Sequence, residues 1–181
     1  MQPQCGGGVE MTKHKVLIPV DGSEFSRQVL PYVRRLLDAE EYTLILLRVG
    51  EPQKGIISSP TVPVTTIAPT MTYASSRDLD KAMHPVYESD VEEGIRVELL
   101  KDLHKDVVHL EEEGYQVSLV VRFGDPAHEI VAAAKDLDVD MVAMATHGRT
   151  GLKHMVLGSV SEWVLRHLAI PVMLIRPTWM R

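Results

Sequence analysis

Residues 140–175 read DMVAMATHGRTGLKHMVLGSVSEWVLRHLAIPVMLI. Asp140 to Ala145 form a short apolar run, the mark of a strand covered on both faces. A loop punctuated by Gly148, Gly151 and Gly158 follows, then a helix from about Ser159 to His167 with Val160, Val164 and Leu168 at helical spacing. Pro171 to Ile175 is a second apolar run. Strand, helix and strand in that order make a right-handed crossover, which lays the two strands parallel in one sheet.

The same alternation extends towards the N-terminus. Val16-Leu17-Ile18-Pro19-Val20 and Tyr42 to Val49 (YTLILLRV) read as two more buried strands. Between them, the turn Asp21-Gly22-Ser23 leads into a helix of about 15 residues, with Phe25, Val29, Val33, Leu36 and Leu37 at helical spacing. Pro31 falls inside that helix and is expected to kink it. A long helix covers about 86–113, with Leu99, Leu100, Leu103, Val107 and Leu110 as its buried stripe. Gly114 ends it, and Gln116 to Arg122 (QVSLVVR) is a further strand. Asp125-Pro126 starts the next helix, Asp as N-cap and Pro in the first helical position, with Ile130, Val131, Ala134 and Leu137 inward. Five strands separated by helices predict an α/β domain, a doubly wound five-stranded parallel sheet with helices on both faces.

Residues 1–14 carry a Gly-Gly-Gly run and no periodicity, and read as a disordered tail ahead of one domain over 15–177. Met11 is a candidate start, because the ordered pattern begins at Lys15. Residues 51–85 are rich in Pro, Ser and Thr and interrupt the alternation. An insertion of this length is either disordered or a lid or dimer-facing arm.

Composition narrows the function. The 181 residues carry 19 basic and 25 acidic side chains, a net charge of −6, which argues against nucleic acid or an anionic membrane as partner. A single cysteine, Cys5, excludes an internal disulfide and a cysteine-based zinc site. No apolar run approaches the roughly 20 residues of a membrane helix, and the expected location is the cytoplasm. The charge is uneven: residues 141–181 hold five basic residues against Glu162 alone, while 86–113 hold ten acids against Arg96, Lys101 and Lys105. That acidic stretch reads as a solvated helix face laced by i,i+4 neighbours among Glu98, Lys101, Asp102 and Lys105.

Ligands of a doubly wound sheet bind beyond the carboxyl ends of its strands. Those ends supply Pro19-Val20-Asp21-Gly22, Val49-Gly50 and Ala145-Thr146-His147-Gly148. Gly158-Ser159 stands just before a helix, whose first N–H groups and dipole favour an anion, with Ser159 and Ser161 adding hydroxyls and Arg149 and Lys153 adding charge. The bland alternative is a glycine-rich connection in which Ser159 is only a cap. Neither G-x-x-x-x-G-K-[ST] nor a G-x-G-x-x-G after the first strand is present, which disfavours P-loop NTPases and dinucleotide-dependent dehydrogenases. Other polar groups stay structural. His104 and His109 do not share a helix face, His147 and His154 lack a third ligand, and Asp136, Asp138 and Asp140 lack the rest of a calcium loop. Ser23 lacks the setting of a nucleophile, and Trp163 reads as packing.

The spacing Ala145-x2-Gly148-x9-Gly158-Ser159, with VLIPVDGSE at the first strand and PVMLI at the last, resembles the universal stress protein family over about Lys15 to Ile175. The resemblance implies an adenine nucleotide alpha hydrolase-like sheet of strand order 3-2-1-4-5 and a homodimer joined through residues 171–175. It also implies ATP, with Mg²⁺, across the ends of the first, second and fourth strands. By the same resemblance Pro19, Val20 and Asp21 contact adenine and ribose, and Val49 holds adenine through its backbone. His147, Gly148 and Arg149 lie beside the phosphates, and Gly158, Ser159, Val160 and Ser161 cradle them. Ala145 departs from the family signature, which has glycine there.

Three functions compete on this reading. The first is a cytoplasmic, dimeric, ATP-binding stress or regulatory protein without dedicated catalysis. The second is a slow ATP hydrolase, for which no catalytic base is evident. The third is an interaction module of the same fold, with a pocket that is empty or takes a cyclic nucleotide.

Overall fold

The structure, a computed structural model, describes residues 12–50, 72–73, 91–146 and 157–178. Five parallel strands carry the fold: β1 (His14–Pro19), β2 (Tyr42–Gly50), β4 (Gln116–Phe123), β5 (Met141–Ala145) and β6 (Val172–Ile175). They stand in the order β4-β2-β1-β5-β6, the predicted one. A two-residue strand from the insertion, β3 (Thr72–Tyr73), adds antiparallel to the outer edge of β4 opposite Val120 and Leu119. The sheet therefore has six strands, one more than the sequence suggested.

Successive side chains of a strand face opposite ways, so each buried strand feeds two cores. Val16, Ile18 and Val20 of the β1 segment join Leu44 and Leu46 on one face, beneath α1 (Glu24–Arg27), α2 (Leu30–Leu36) and α3 (Val91–Glu112). Leu17, Ile45 and Leu47 face the other way, beneath α4 (Pro126–Asp136) and α5 (Ser159–His167). The α3 stripe is as expected: Leu100, Leu103, Val107 and Leu110 are buried, and Leu99 packs at the margin.

Two local expectations are corrected. The 15-residue helix is two short ones, because the chain turns at Gln28–Val29 and Pro31 falls in the first turn of α2. Proline fits there, where its missing N–H has no helical acceptor to lose. The break shifts the helical phase, and Leu36 ends 58% exposed rather than in the core. The acidic face of α3 is likewise not simply solvated. Asp102 and Asp106 receive Arg27 of α1 at 2.8 Å each. Burial opposes the charge on Arg27, but its bonds to Asp106 and Asp102 outweigh that and push its pKa up.

Helix α4 starts as the sequence predicted. Asp125 Oδ1 accepts the His128 N–H at 3.1 Å, with Pro126 at the first helical position. The backbone N–H and then the ring of His128 hold the Asp125 carboxyl below its ordinary range, against a small opposing effect of burial. Asp125→Ala is expected to cost about 1 kcal/mol at neutral pH. A depressed folded pKa contributes stability above the unfolded pKa and loses it as pH falls through the folded one. Urea unfolding of both proteins should therefore show their difference shrinking as pH drops below about 4. A difference that grows on acidification contradicts this cap.

Candidate functional site

In the order β4-β2-β1-β5-β6 the chain runs outward from β1 in one direction to β2 and β4, and in the other to β5 and β6. The strand order therefore reverses direction between β1 and β5, and it is at the carboxyl ends of such neighbours that a sheet of this kind has its crevice. Three described segments border it: the turn after β1, the end of β2, and the junction of β5 with α5.

Pro19 and Val20 are buried, and the Val20 N–H extends the sheet by bonding Leu47 O at 2.9 Å. Asp21 then closes a small network. Its Oδ1 accepts the Ser23 N–H at 3.0 Å and the Ser23 hydroxyl at 2.6 Å, and Ser23 Oγ caps α1 by accepting the Ser26 N–H at 3.1 Å. The Asp21 N–H donates to the buried Ser26 Oγ at 3.2 Å. Gly22 takes φ +83°, a conformation that side chains disfavour. Ser23 is thus the cap of α1, a role the sequence reading did not assign it, and its bonds tie the Asp21 carboxylate to the turn.

Val49 is half-buried and packs on the α4–α5 core, while Gly50 O accepts the Gly124 N–H at 3.1 Å. The first shoulder of the crevice therefore continues from β1 onto β2.

The second shoulder is built by one close approach. Thr146, buried, donates its N–H to Ile175 O at 2.8 Å, and its carbonyl accepts the Gly158 N–H at 2.9 Å. A Cβ on Gly158 would lie 2.5 Å from Thr146 O, so only glycine lets the start of α5 sit on the end of β5. The first intrahelical bond of α5 is Glu162 N–H to Gly158 O at 2.9 Å. The N–H groups of Ser159, Val160 and Ser161 precede it and have no acceptor one turn back.

Ser161 is buried, and its hydroxyl lies 3.2 Å from Thr146 O and 2.9 Å from Gly158 O. The hydroxyl proton is therefore spent on backbone carbonyls, and the donor Ser161 retains in the first turn is its N–H. Ser159 is exposed and Val160 half-buried. Ala145 pairs in register with Ile175 inside β5, where any residue adopts the extended backbone, so the chain itself does not demand glycine there. His147, Gly148, Arg149, Lys153 and His154 lie outside the described residues.

The structure thus brings Pro19, Val20 and Asp21 to one shoulder with Val49 beside them, and Ala145, Gly158, Ser159, Val160 and Ser161 to the other. Sequence reasoning named Thr146 only as part of a strand end and missed that its carbonyl anchors α5, and it missed the two arginines behind the Asp21 turn, Arg27 and Arg48. Arg27 and Asp102 are 75 residues apart, and no local pattern joins them. Trp163 packs as expected, partly buried against the second core with the His167 ring stacked on it at 3.9 Å. Among the described residues no group of three or more His, Cys, Asp or Glu is placed to hold a metal, and no helix is long and apolar enough to cross a membrane.

Comparison with known proteins agrees with this architecture. The model of the universal stress protein family matches residues 13–176. Universal stress protein YxiE of Bacillus subtilis is 29% identical over 163 residues, covering 90% of this chain and 99% of that protein. Universal stress protein MJ0577 of Methanocaldococcus jannaschii is 30% identical over 165 residues, covering 90% and 94%. The solved structure of that protein superposes with a TM-score of 0.64 at 26% identity, over 92% of this chain and 97% of that one. A universal stress protein family member from Arabidopsis thaliana, solved with AMP bound, shares the fold with a TM-score of 0.54 at 20% identity, over 91% and 92%. A match over nearly the whole chain, joined to the strand order and the β5–α5 junction, places this chain in the universal stress protein family.

Proposed function

We propose that the chain binds an adenine nucleotide in the crevice between the ends of β1 and β5, and acts as a regulatory or stress-response protein in the cytoplasm. The observation that carries this reading is the contact of Gly158 with Thr146 O, which fixes the first N–H groups of α5 beside the crevice. Such a helix start, with its dipole, suits a phosphate. The Arabidopsis thaliana relative, solved with AMP, supports the choice of an adenine nucleotide.

The residues in place fit such a ligand. In this reading Asp21 accepts from ribose hydroxyls, Val49 holds adenine through its backbone, and the N–H groups of Ser159, Val160 and Ser161 donate to phosphates. ATP is the form we favour, carrying its Mg²⁺ chiefly on the phosphates, as that ion usually binds. Arg149 and Lys153 in the connecting loop add positive charge. The function assigned is binding. A homodimer through β6 is part of the same reading: Val172 to Ile175 are each only partly buried, on a strand at the end of the sheet.

Thermal unfolding with ATP–Mg²⁺, ADP, AMP and cyclic AMP tests this. A ligand at 100 times its Kd adds about 2.7 kcal/mol, which raises Tm by about 5–10 °C in a chain of this size. ATP–Mg²⁺ is expected to give the largest rise. A rise with cyclic AMP alone favours the cyclic-nucleotide reading, and no rise with any of the four at millimolar concentration overturns the proposal.

A further inference from the structure

The turn that carries Asp21 is gripped from behind. Gly22 O accepts from Arg27 Nη1 at 2.5 Å, and Val20 O accepts from Arg48 Nη1 at 3.3 Å. Arg27 is in turn anchored on α3 at three points. Its Nε donates to Asp106 Oδ2 at 2.8 Å, and its Nη2 donates to Asp102 Oδ1 at 2.8 Å and to the Asp102 carbonyl at 3.0 Å. Arg48 Nη2 lies 4.0 Å from the other Asp102 oxygen.

These groups crowd the turn. The position a Cβ of Gly22 would take is 2.5 Å from Asp102 Oδ2 and 2.8 Å from Arg48 Nη2. Asp102 and Asp106 are four residues apart on α3, so they present one face and move as one body with the helix. A guanidinium is planar and forked, and its bonds fix direction as well as distance. Any shift of α3 along or about its axis is therefore transmitted by Arg27 to the carbonyl next to Asp21.

We propose that Arg27, held by Asp102 and Asp106 of α3, is a positioning residue that sets the conformation of the Val20–Ser23 turn and so couples α3 to nucleotide affinity. None of the three side chains needs to touch the ligand. The effect on affinity rests on the nucleotide-binding reading above; the control of the turn does not. Coupling of this kind is reciprocal, so a nucleotide that fixes the turn also quiets α3.

Two conservative variants of the full chain test it. Arg27→Lys keeps the charge but cannot reach Gly22 O and both carboxylates at once. Asp102→Asn keeps the shape and removes the charge. Hydrogen–deuterium exchange of the ligand-free proteins is expected to show about tenfold faster exchange over residues 20–27 in both variants, with the α4 and α5 peptides at the wild-type rate. On addition of AMP or ATP–Mg²⁺, exchange over residues 98–107 should slow in the wild type and not in the variants. Calorimetry should give a Kd about tenfold weaker in both.

Unchanged exchange over 20–27 overturns the proposal. So does a rise shared equally by α4 and α5, which marks a role in global stability only, and so does a loosened turn with unaltered Kd. A wild-type chain that binds neither nucleotide overturns the functional reading and with it the coupling to affinity, while the ligand-free exchange still decides whether Arg27 sets the turn.

Discussion

Gly158→Ala is expected to lower Tm by about 10 °C and to abolish nucleotide binding at concentrations that saturate the wild type. The added methyl would lie 2.5 Å from Thr146 O, a backbone atom in a buried segment that cannot swing aside. Helix α5 must lift by several tenths of an ångström to make room. Lifting stretches the Gly158 N–H bond to Thr146 O and draws the Ser161 hydroxyl off the same carbonyl. Overpacking costs about 1–3 kcal/mol, and each weakened hydrogen bond about 1 kcal/mol. A chain of this length loses about 2–4 °C per kcal/mol. Ser159→Ala, one residue on and exposed, is the control, with a stability change within about 0.5 kcal/mol. If Gly158→Ala melts with the wild type, the close approach at this junction is wrong.

Leu46→Ala is expected to cost about 3–4 kcal/mol. Leu46 lies in β2, flanked by β1 and β4, and is fully buried in the core beneath α2 and α3. Truncation removes its transfer energy and leaves a cavity that surrounding strands cannot close, since their register is fixed on both sides. The midpoint of denaturant unfolding should fall while the slope stays that of the wild type. A loss under about 1 kcal/mol would mean that this face of the sheet repacks freely.

These two positions differ in how far the sequence exposed them. Leu46 was legible as core because it lies in Leu44-Ile45-Leu46-Leu47, a continuous apolar run within YTLILLRV, and a strand buried on both faces leaves that trace. Gly158 was legible as the residue before a helix, but the reason that only glycine serves is a carbonyl twelve residues earlier, visible only once β5 and α5 are packed. Pro31 was misplaced for a similar reason. A proline inside an apolar period fits a kinked helix or the first turn of a second one, and the turn at Gln28–Val29 that decides between them has no composition of its own. The anchoring of Arg27 on Asp102 and Asp106 was invisible, because acids at helical spacing look alike whether water or a distant arginine faces them. Of the site, both shoulders were read from glycine placement and strand ends, while the groups that hold the first shoulder rigid were not.

The two edges of the sheet are unlike. On the outer side of β4, the pairing of Thr72 and Tyr73 with Val120 and Leu119 interrupts the row of backbone donors and acceptors in mid-strand. A second sheet zipping along that side meets an interrupted template, whereas among the described residues β6 carries no such insert. Edge-to-edge growth is then directional. For the homodimer proposed at β6, each copy would turn its interrupted side outward, and the assembly would close at two rather than run on as a fibre.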